Sequence, residues 1–294
     1  MIKKFAIMGV GGYVAVKHLQ SIKALGHEVV AALDIHDSVG IIDRFFPHCH
    51  FFTSFERFER FLSKERRDGQ PVDYLVVCTP NHLHDAHCRF GLRMKMNVIC
   101  EKPLVINPWN VDALIEAEND SGYSIANILQ LRYHPEIVKL ADDINRFPKR
   151  RKVILDYHTP RGKWYDVSWK GNVSKSGGIT TNIGVHLFDL LLWLFGELVE
   201  VVSVKLDNHM ATGQLKLEGA DVEWRLSTEL KKGTSGSSPA RFLQCDEKII
   251  YLDKGFDNLH LANYEKILAG EKVRPIDIKP LIDLLYRIRM TDSN

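Results

Sequence analysis

The residues whose types and spacing could do chemistry gather in a few short stretches. Gly9-Val10-Gly11-Gly12-Tyr13-Val14 follows an apolar run and leads into a helical pattern that begins at Ala15. Glycines at a strand-to-helix turn let the backbone approach a pyrophosphate, while the helix N-terminus supplies free N–H donors and a positive partial charge. Val14 occupies the third glycine position of the G-x-G-x-x-G pattern, but a shifted register of Gly9, Gly12 and Ala15 keeps small residues throughout. Twenty residues past Val14, Asp34 closes a second apolar run. A carboxylate there accepts both ribose hydroxyls and repels a 2′-phosphate, which predicts NAD in preference to NADP. The competing readings are an ordinary tight turn for the glycines and a helix N-cap for Asp34. Two further apolar runs end in polar groups, Cys78-Thr79-Pro80-Asn81-His82 and Cys100-Glu101-Lys102-Pro103.

These stretches need elements to position them. Apolar runs over 5–8, 29–33, 72–78, 97–100 and 124–129 alternate with helical patterns over 15–25 and 54–66, after Asn81 and from Pro108. Strands apolar on both faces and separated by helices predict a parallel sheet covered on both sides, a doubly wound α/β domain whose strand carboxyl ends bind the ligand. Beyond residue 130 the pattern changes. Runs over 153–158, 199–206, 213–217, 222–230, 241–245 and 249–252 follow one another, several with alternating polarity. They predict an α+β domain with an open, mostly antiparallel sheet, one face of which is free for substrate or another subunit. Helical stretches over 179–195, 259–268 and 278–288 are expected to cover the other face. The division is therefore drawn as a nucleotide-binding domain over 1–130 and a substrate-binding and oligomerisation domain over 131–294. The Gly/Ser-rich patch at 234–239 reads as a mobile loop.

Composition limits the alternatives. The 294 residues are 45% hydrophobic and 26% charged, and 39 Lys+Arg against 37 Asp+Glu leave a net charge of +2. Two domains of ~150 residues fit that length. The near balance excludes broad, salt-driven binding to nucleic acid, and the run Lys149-Arg150-Arg151-Lys152 reads as a solvated connector. The greasiest stretch, 186–196, is short and interrupted by Asp189, so no membrane span is expected. Five cysteines, Cys49, Cys78, Cys88, Cys100 and Cys245, form no Cys-x-x-Cys pair and suit the reducing cytoplasm. His82, His84 and His87 crowd one segment, but nothing nearby completes a zinc site, and no metal is expected.

Cys100-Glu101-Lys102-Pro103-Leu104 after such a strand resembles the Glu-Lys-Pro signature of the glucose-fructose oxidoreductase/inositol dehydrogenase (Gfo/Idh/MocA) family, and the stretch from Ser176-Gly177-Gly178 to His186 and Asp189 resembles that family's glycine-led catalytic helix. The resemblance implies an N-terminal Rossmann domain followed by the open antiparallel sheet. It narrows further. Gly12-Tyr13-Val14-Ala15, the segment from Leu33 to Asp43, Pro80 to His87, Leu129 to Pro135 and Gly162 to Gly171 are together similar to the UDP-N-acetylglucosaminuronate 3-dehydrogenases of bacterial lipopolysaccharide O-antigen biosynthesis. The similarity runs through about residue 196. One departure from the broad family is Asn182, where many members carry aspartate four residues before the histidine; a second is Val14 in the glycine turn.

Oxidising a secondary alcohol needs a hydride acceptor and a group that removes the hydroxyl proton. His186 is the expected base, because an unperturbed imidazole titrates near neutrality. Lys102 is expected to donate to the developing alkoxide, and Asn182, read as lying on the same helix face as His186, to orient substrate or histidine. Together they form the catalytic set. The resemblance implies that Gly9, Gly11, Gly12, Tyr13, Val14, Asp34, Ser38, Thr79, Asn81, His82, His84, Glu101, Lys102 and Gln130 hold NAD. Arg161, Lys163, Tyr165, Trp169 and Thr181 would bind the sugar nucleotide with Lys102, Asn182 and His186, and Lys170 and Trp164 lie in the same segment. It further implies 2-oxoglutarate as a recycling oxidant, an aminotransferase that consumes the keto product, and a homo-oligomer, a tetramer foremost. Two alternatives stand beside this reading, another sugar, inositol or nucleotide-sugar dehydrogenase of the same family and a non-catalytic NAD-binding regulator.

Overall fold

The computed structural model describes residues 1–230, 241–255 and 258–291, so the Gly/Ser-rich patch at 234–239 lies outside the described residues. The chain forms two compact units, one comprising Met1–Val105, Trp109–Ile128 and His260–Asp277, the other Ile106–Pro108, Leu129–Leu259 and Ile278–Asn294.

In the first unit, strands β1 (Lys4–Met8), β2 (Glu28–Leu33), β3 (His50–Phe52), β4 (Tyr74–Val77), β5 (Asn97–Cys100) and β6 (Ile125–Asn127) form a parallel sheet in the order β3-β2-β1-β4-β5-β6. Helices α1 (Ala15–Ala24), α2 (Ile41–Phe45), α3 (Phe55–Arg67), α4 (His84–Arg93) and α5 (Pro108–Ser121) connect them. Phe5, Ile7, Met8, Leu75, Val76 and Val77 are fully buried, as strands covered on both faces require. The strand order reverses between β1 and β4, so the crevice at their carboxyl ends is the place where such sheets take ligands. Helix α3 starts where Ser54 accepts the Arg57 N–H, and Phe58 and Leu62 bury its apolar stripe for roughly 1.5–3 kcal/mol each. Strand β3 and helix α2 are absent from the sequence expectation, because elements of three and five residues are too short to show a period.

The second unit holds β7 (Arg151–His158), β8 (Leu198–Leu206), β9 (Met210–Leu217), β10 (Ala220–Ser227), β11 (Arg241–Cys245) and β12 (Lys248–Tyr251), in the order β12-β11-β7-β10-β9-β8. All pairs are antiparallel except β7 with β10. Along β10, Val222, Trp224 and Leu226 are buried while Asp221, Glu223 and Arg225 are exposed, the alternation of a one-faced sheet. Its helices are α6 (Pro135–Arg146), α7 (Trp164–Val167), α8 (Val173–Ser176), α9 (Gly178–Asn182) and α10 (Val185–Phe195); later in the chain come α11 (Leu259–Leu268), which from His260 lies in the first unit, and α12 (Pro275–Thr291), which lies in the second unit from Ile278.

Two expectations are corrected. The helix expected over 179–195 is broken at Ile183-Gly184, where the apolar segments on either side meet at 47°. A Cβ on Gly184 would lie 2.5 Å from the Thr180 carbonyl oxygen and 2.7 Å from Leu226, so the close approach that bends the chain excludes a side chain. Helix α11 does not cover the antiparallel sheet: from His260 it belongs to the first unit, where Tyr264 and Ile267 enter the core around Phe5 and Ile22. The segment after it, with the Val273 carbonyl accepting from Asn127 N, protects the edge of β6. Among the described residues no single helix is long and apolar enough to cross a membrane.

Candidate active site

The glycine turn is built by backbone geometry. Gly9 has φ +81°, and a Cβ on it would lie 2.7 Å from the Cys78 backbone, so the turn after β1 abuts the end of β4 only because this residue is glycine. Gly12 N donates to the Gly9 carbonyl at 3.0 Å, Val14 is the α1 N-cap with helical backbone angles, and Ala15 is fully buried, which keeps the small residue of the shifted register. Asp34 accepts from Gly11 N through Oδ2 and from His36 N through Oδ1, both at 2.9 Å. Its carboxylate is thus fixed beside the glycine turn. A pocket of about 460 Å³ runs from Gly11, Gly12 and Tyr13 to Ser38 and Ile41, with Lys17 and Gln20 of α1 on its wall. Those two were missed by sequence reasoning, although their i, i+3 spacing on the face of α1 was the available signal.

The other predicted cofactor residues of this unit divide. His82 is exposed, Asn81 is buried, and the Thr79 hydroxyl bonds His87 Nδ1 at 2.9 Å. His84, expected to line the cofactor pocket, is 1% exposed, with Nδ1 2.7 Å from the Pro103 carbonyl and Nε2 2.7 Å from the Thr79 carbonyl. Burial draws its pKa down more than the two carbonyls raise it. Burial likewise brings His87 down to about 4, helped by His84 and His82. His84 thus braces the backbone of the strand ends, and His87 holds the Thr79 side chain.

Glu101, expected at the cofactor, has a carboxylate that is 6% exposed and engaged by protein groups. Oε1 lies 3.0 Å from His18 Nε2 and 3.1 Å from His260 Nε2, while Oε2 accepts from Lys102 N at 3.2 Å. Burial pushes this carboxyl upward, but the hydrogen bonds from the two imidazoles outweigh it and hold the group well below its ordinary range. Lys102 follows with a partly exposed side chain, and its bond to Pro103 is cis.

In the second unit, the break at Gly184 puts Asn182 and His186 on separate helices, so they do not share one helical face as expected. Asn182 is 5% exposed and donates from Nδ2 to the Tyr165 hydroxyl at 2.9 Å; His186 is partly exposed in the first turn of α10. Burial raises the Tyr165 pKa, against the Asn182 bond. Thr181, expected at the substrate, is fully buried, and its hydroxyl accepts from Arg289 Nη1 at 2.8 Å. Lys170 lies 4.9 Å from the Trp169 ring centroid and 5.3 Å from that of Trp164, its pKa lowered by burial and then by Arg161. Arg161 is partly exposed and Lys163 exposed. Gln130 also belongs to this unit, and its Oε1 is buried without a hydrogen-bond partner among the described residues. Cations held between aromatic faces suit an anionic ligand, and a hydroxyl, an amide and an imidazole suit the alcohol end of a sugar.

The profile "Oxidoreductase family, NAD-binding Rossmann fold" matches residues 3–127, and "Oxidoreductase family, C-terminal alpha/beta domain" of the same Gfo/Idh/MocA family matches 151–216. The WlbA (WbpB) dehydrogenase from Thermus thermophilus, solved with NAD and alpha-ketoglutarate and again with NAD and UDP-GlcNAcA, is 39% identical, with 98% of this chain and 95% of that chain covered and a TM-score of 0.94. The chain belongs to the Gfo/Idh/MocA oxidoreductase family. Its first unit carries the family's NAD-binding Rossmann fold. A protein of Amycolatopsis mediterranei named "Putative UDP-kanosamine synthase oxidoreductase subunit" is 30% identical over 167 residues, 53% of this chain and 46% of that protein. The chain thus spans less than half of that curated relative's length.

Proposed function

We propose that this family member is an NAD-dependent dehydrogenase that oxidises the 3-hydroxyl of UDP-N-acetylglucosaminuronate to the 3-keto sugar. The observation that carries the reading is 39% identity over 98% of the chain to a dehydrogenase crystallised with NAD and that sugar nucleotide. The cradle suits NAD on this chain's own terms, since Gly9, Gly11 and Gly12 let the turn close tightly against Cys78 and Asp34 just before the α1 N-terminus, where a pyrophosphate would meet free N–H donors, and Asp34 is held beside it for a ribose. When bound there, NAD supplies the hydride acceptor. His186 takes the hydroxyl proton, and the Lys102 ammonium donates to the oxygen as negative charge grows on it. Asn182, fixed by Tyr165, orients the sugar. Arg161, Lys163 and Lys170 meet the carboxylate and diphosphate, with Trp169 beside them.

Alcohol oxidation by NAD is uphill, so the reading includes recycling of NADH by 2-oxoglutarate, supported by the alpha-ketoglutarate complex of the Thermus thermophilus protein. It also includes removal of the keto product by an aminotransferase, a homo-oligomeric enzyme, and a cytoplasmic place in O-antigen synthesis. A panel of UDP-N-acetylglucosaminuronate, UDP-N-acetylglucosamine, myo-inositol and free glucose, followed by NADH absorbance with 2-oxoglutarate omitted, tests the substrate. The uronate should give by far the highest kcat/KM. Preference for a neutral sugar or inositol would replace it with the second reading, another dehydrogenase of the family, which the UDP-kanosamine relative favours.

A further inference from the structure

Glu101 sits at the centre of a buried polar cluster whose members come from three distant parts of the first unit. His18 Nε2, from α1, and His260 Nε2, from α11, both reach Glu101 Oε1, at 3.0 and 3.1 Å. His18 Nδ1 is 2.8 Å from the Tyr264 hydroxyl, one helical turn past His260, and the His18 and His260 rings meet edge to face at 5.3 Å. His18 and Tyr264 are fully buried. The proton assignments close consistently. A neutral His18 donates from Nε2 to the carboxylate and accepts the Tyr264 proton at Nδ1, and His260 donates from Nε2. The second carboxylate oxygen accepts from Lys102 N. On the far side of the same peptide pair, His84 holds the Pro103 carbonyl, and Asn127 Nδ2 holds the Cys100 and Glu101 carbonyls at 3.0 and 3.2 Å.

We infer that His18, His260 and Tyr264 are positioning residues for Lys102, acting through Glu101, and that the return of α11 to the first unit completes the support of the catalytic lysine. This rests on the reading of Lys102 as the alkoxide-stabilising group. A catalytic ammonium must sit within tenths of an ångström of its productive place, and a four-carbon side chain inherits any looseness of its backbone. The Lys102 amide donates to Glu101 Oε2, and the opposing oxygen is held by imidazoles 83 and 159 residues away in sequence. His18, Glu101 and His260 also have the donor set of a metal site, with ligand atoms within 4.8 Å of one another. Both imidazoles, however, point at one oxygen over hydrogen-bond distances and Tyr264 satisfies the remaining nitrogen of His18, the arrangement of a closed proton network.

The test compares His260→Leu, donor-retaining His260→Asn, Tyr264→Phe and, as a control on the underlying reading, Lys102→Ala in the full-length protein. His260→Leu should lower kcat roughly 10- to 100-fold while KM for NAD and for sugar stay within about twofold, because the lost interaction acts on the transition state. His260→Asn should recover most of that loss, and Tyr264→Phe should show a smaller loss of the same kind. Hydrogen–deuterium exchange at the Lys102 amide should quicken in His260→Leu and Tyr264→Phe, a readout independent of turnover. If His260→Leu fails to fold, Tyr264→Phe and His260→Asn decide. Unchanged kcat and exchange in folded variants overturns the positioning role, as does a rise of KM for NAD that accounts for the whole loss. Stoichiometric bound metal in the wild-type protein by elemental analysis, lost in His260→Leu, overturns the hydrogen-bond assignment. Wild-type turnover in Lys102→Ala instead overturns the reading of Lys102 on which the inference stands.

Discussion

Asp34 spends both carboxylate oxygens on the N–H groups of Gly11 and His36, so it shapes the glycine turn in addition to the ribose contact proposed for it. Asp34→Ala should therefore weaken NAD binding and relax discrimination against NADP by about tenfold or more, ~1.4 kcal/mol, in the ratio of kcat/KM values. Unchanged discrimination would place ribose recognition elsewhere. Lys102→Ala and His186→Ala should each lower kcat by roughly 10²- to 10⁴-fold with the circular dichroism melt preserved. At this scale much was legible. Glycine at a strand end and a carboxylate after the next strand carry their chemistry in the sequence itself. The burial of Glu101, Thr181 and His84 was not, because each is set by a partner distant in sequence or by a backbone carbonyl, and residue type does not say which way a polar side chain turns.

The elements divide in the same way. Strands buried on both faces announced the parallel sheet, and alternation announced the open one. What periodicity cannot tell is which core an apolar stripe joins: α11 reads as an ordinary amphipathic helix, yet Tyr264 packs against Phe5, with ring centroids 6.2 Å apart. Nor does it show where a long apolar helix breaks. Gly184 sits at that break, where a methyl group would press on the Thr180 carbonyl, Leu226 and Phe188. Gly184→Ala should cost about 1–3 kcal/mol in urea unfolding. It should also reduce turnover, since α10 carries His186 in its first turn. A neutral substitution would mean that the break has another cause.

For the molecule as a whole, the buried histidines set an acid limit on stability. His87 titrates at about 4 in the folded protein against 6.5 for the free side chain, and burial lowers His18 and His84 as well. A base with a depressed folded pKa takes up its proton in the unfolded chain first, so stability falls as the pH drops from about 6.5 towards 4 and levels off below. His87 alone should contribute on the order of 2 kcal/mol to that fall, reduced by its partial exposure, and His87→Phe should flatten the curve of urea midpoint against pH. The net charge of +2 conceals local order of the same kind, with Lys170 set between two indoles while the total stays near zero. That local cationic site is where a multiply anionic substrate belongs in this account. The most direct test is to incubate the protein with UDP-N-acetylglucosaminuronate, NAD and 2-oxoglutarate and weigh the sugar nucleotide by mass spectrometry. The account predicts a product two hydrogens lighter that takes up one deuterium on reduction with borodeuteride; recovery of unchanged substrate with NAD bound would contradict it.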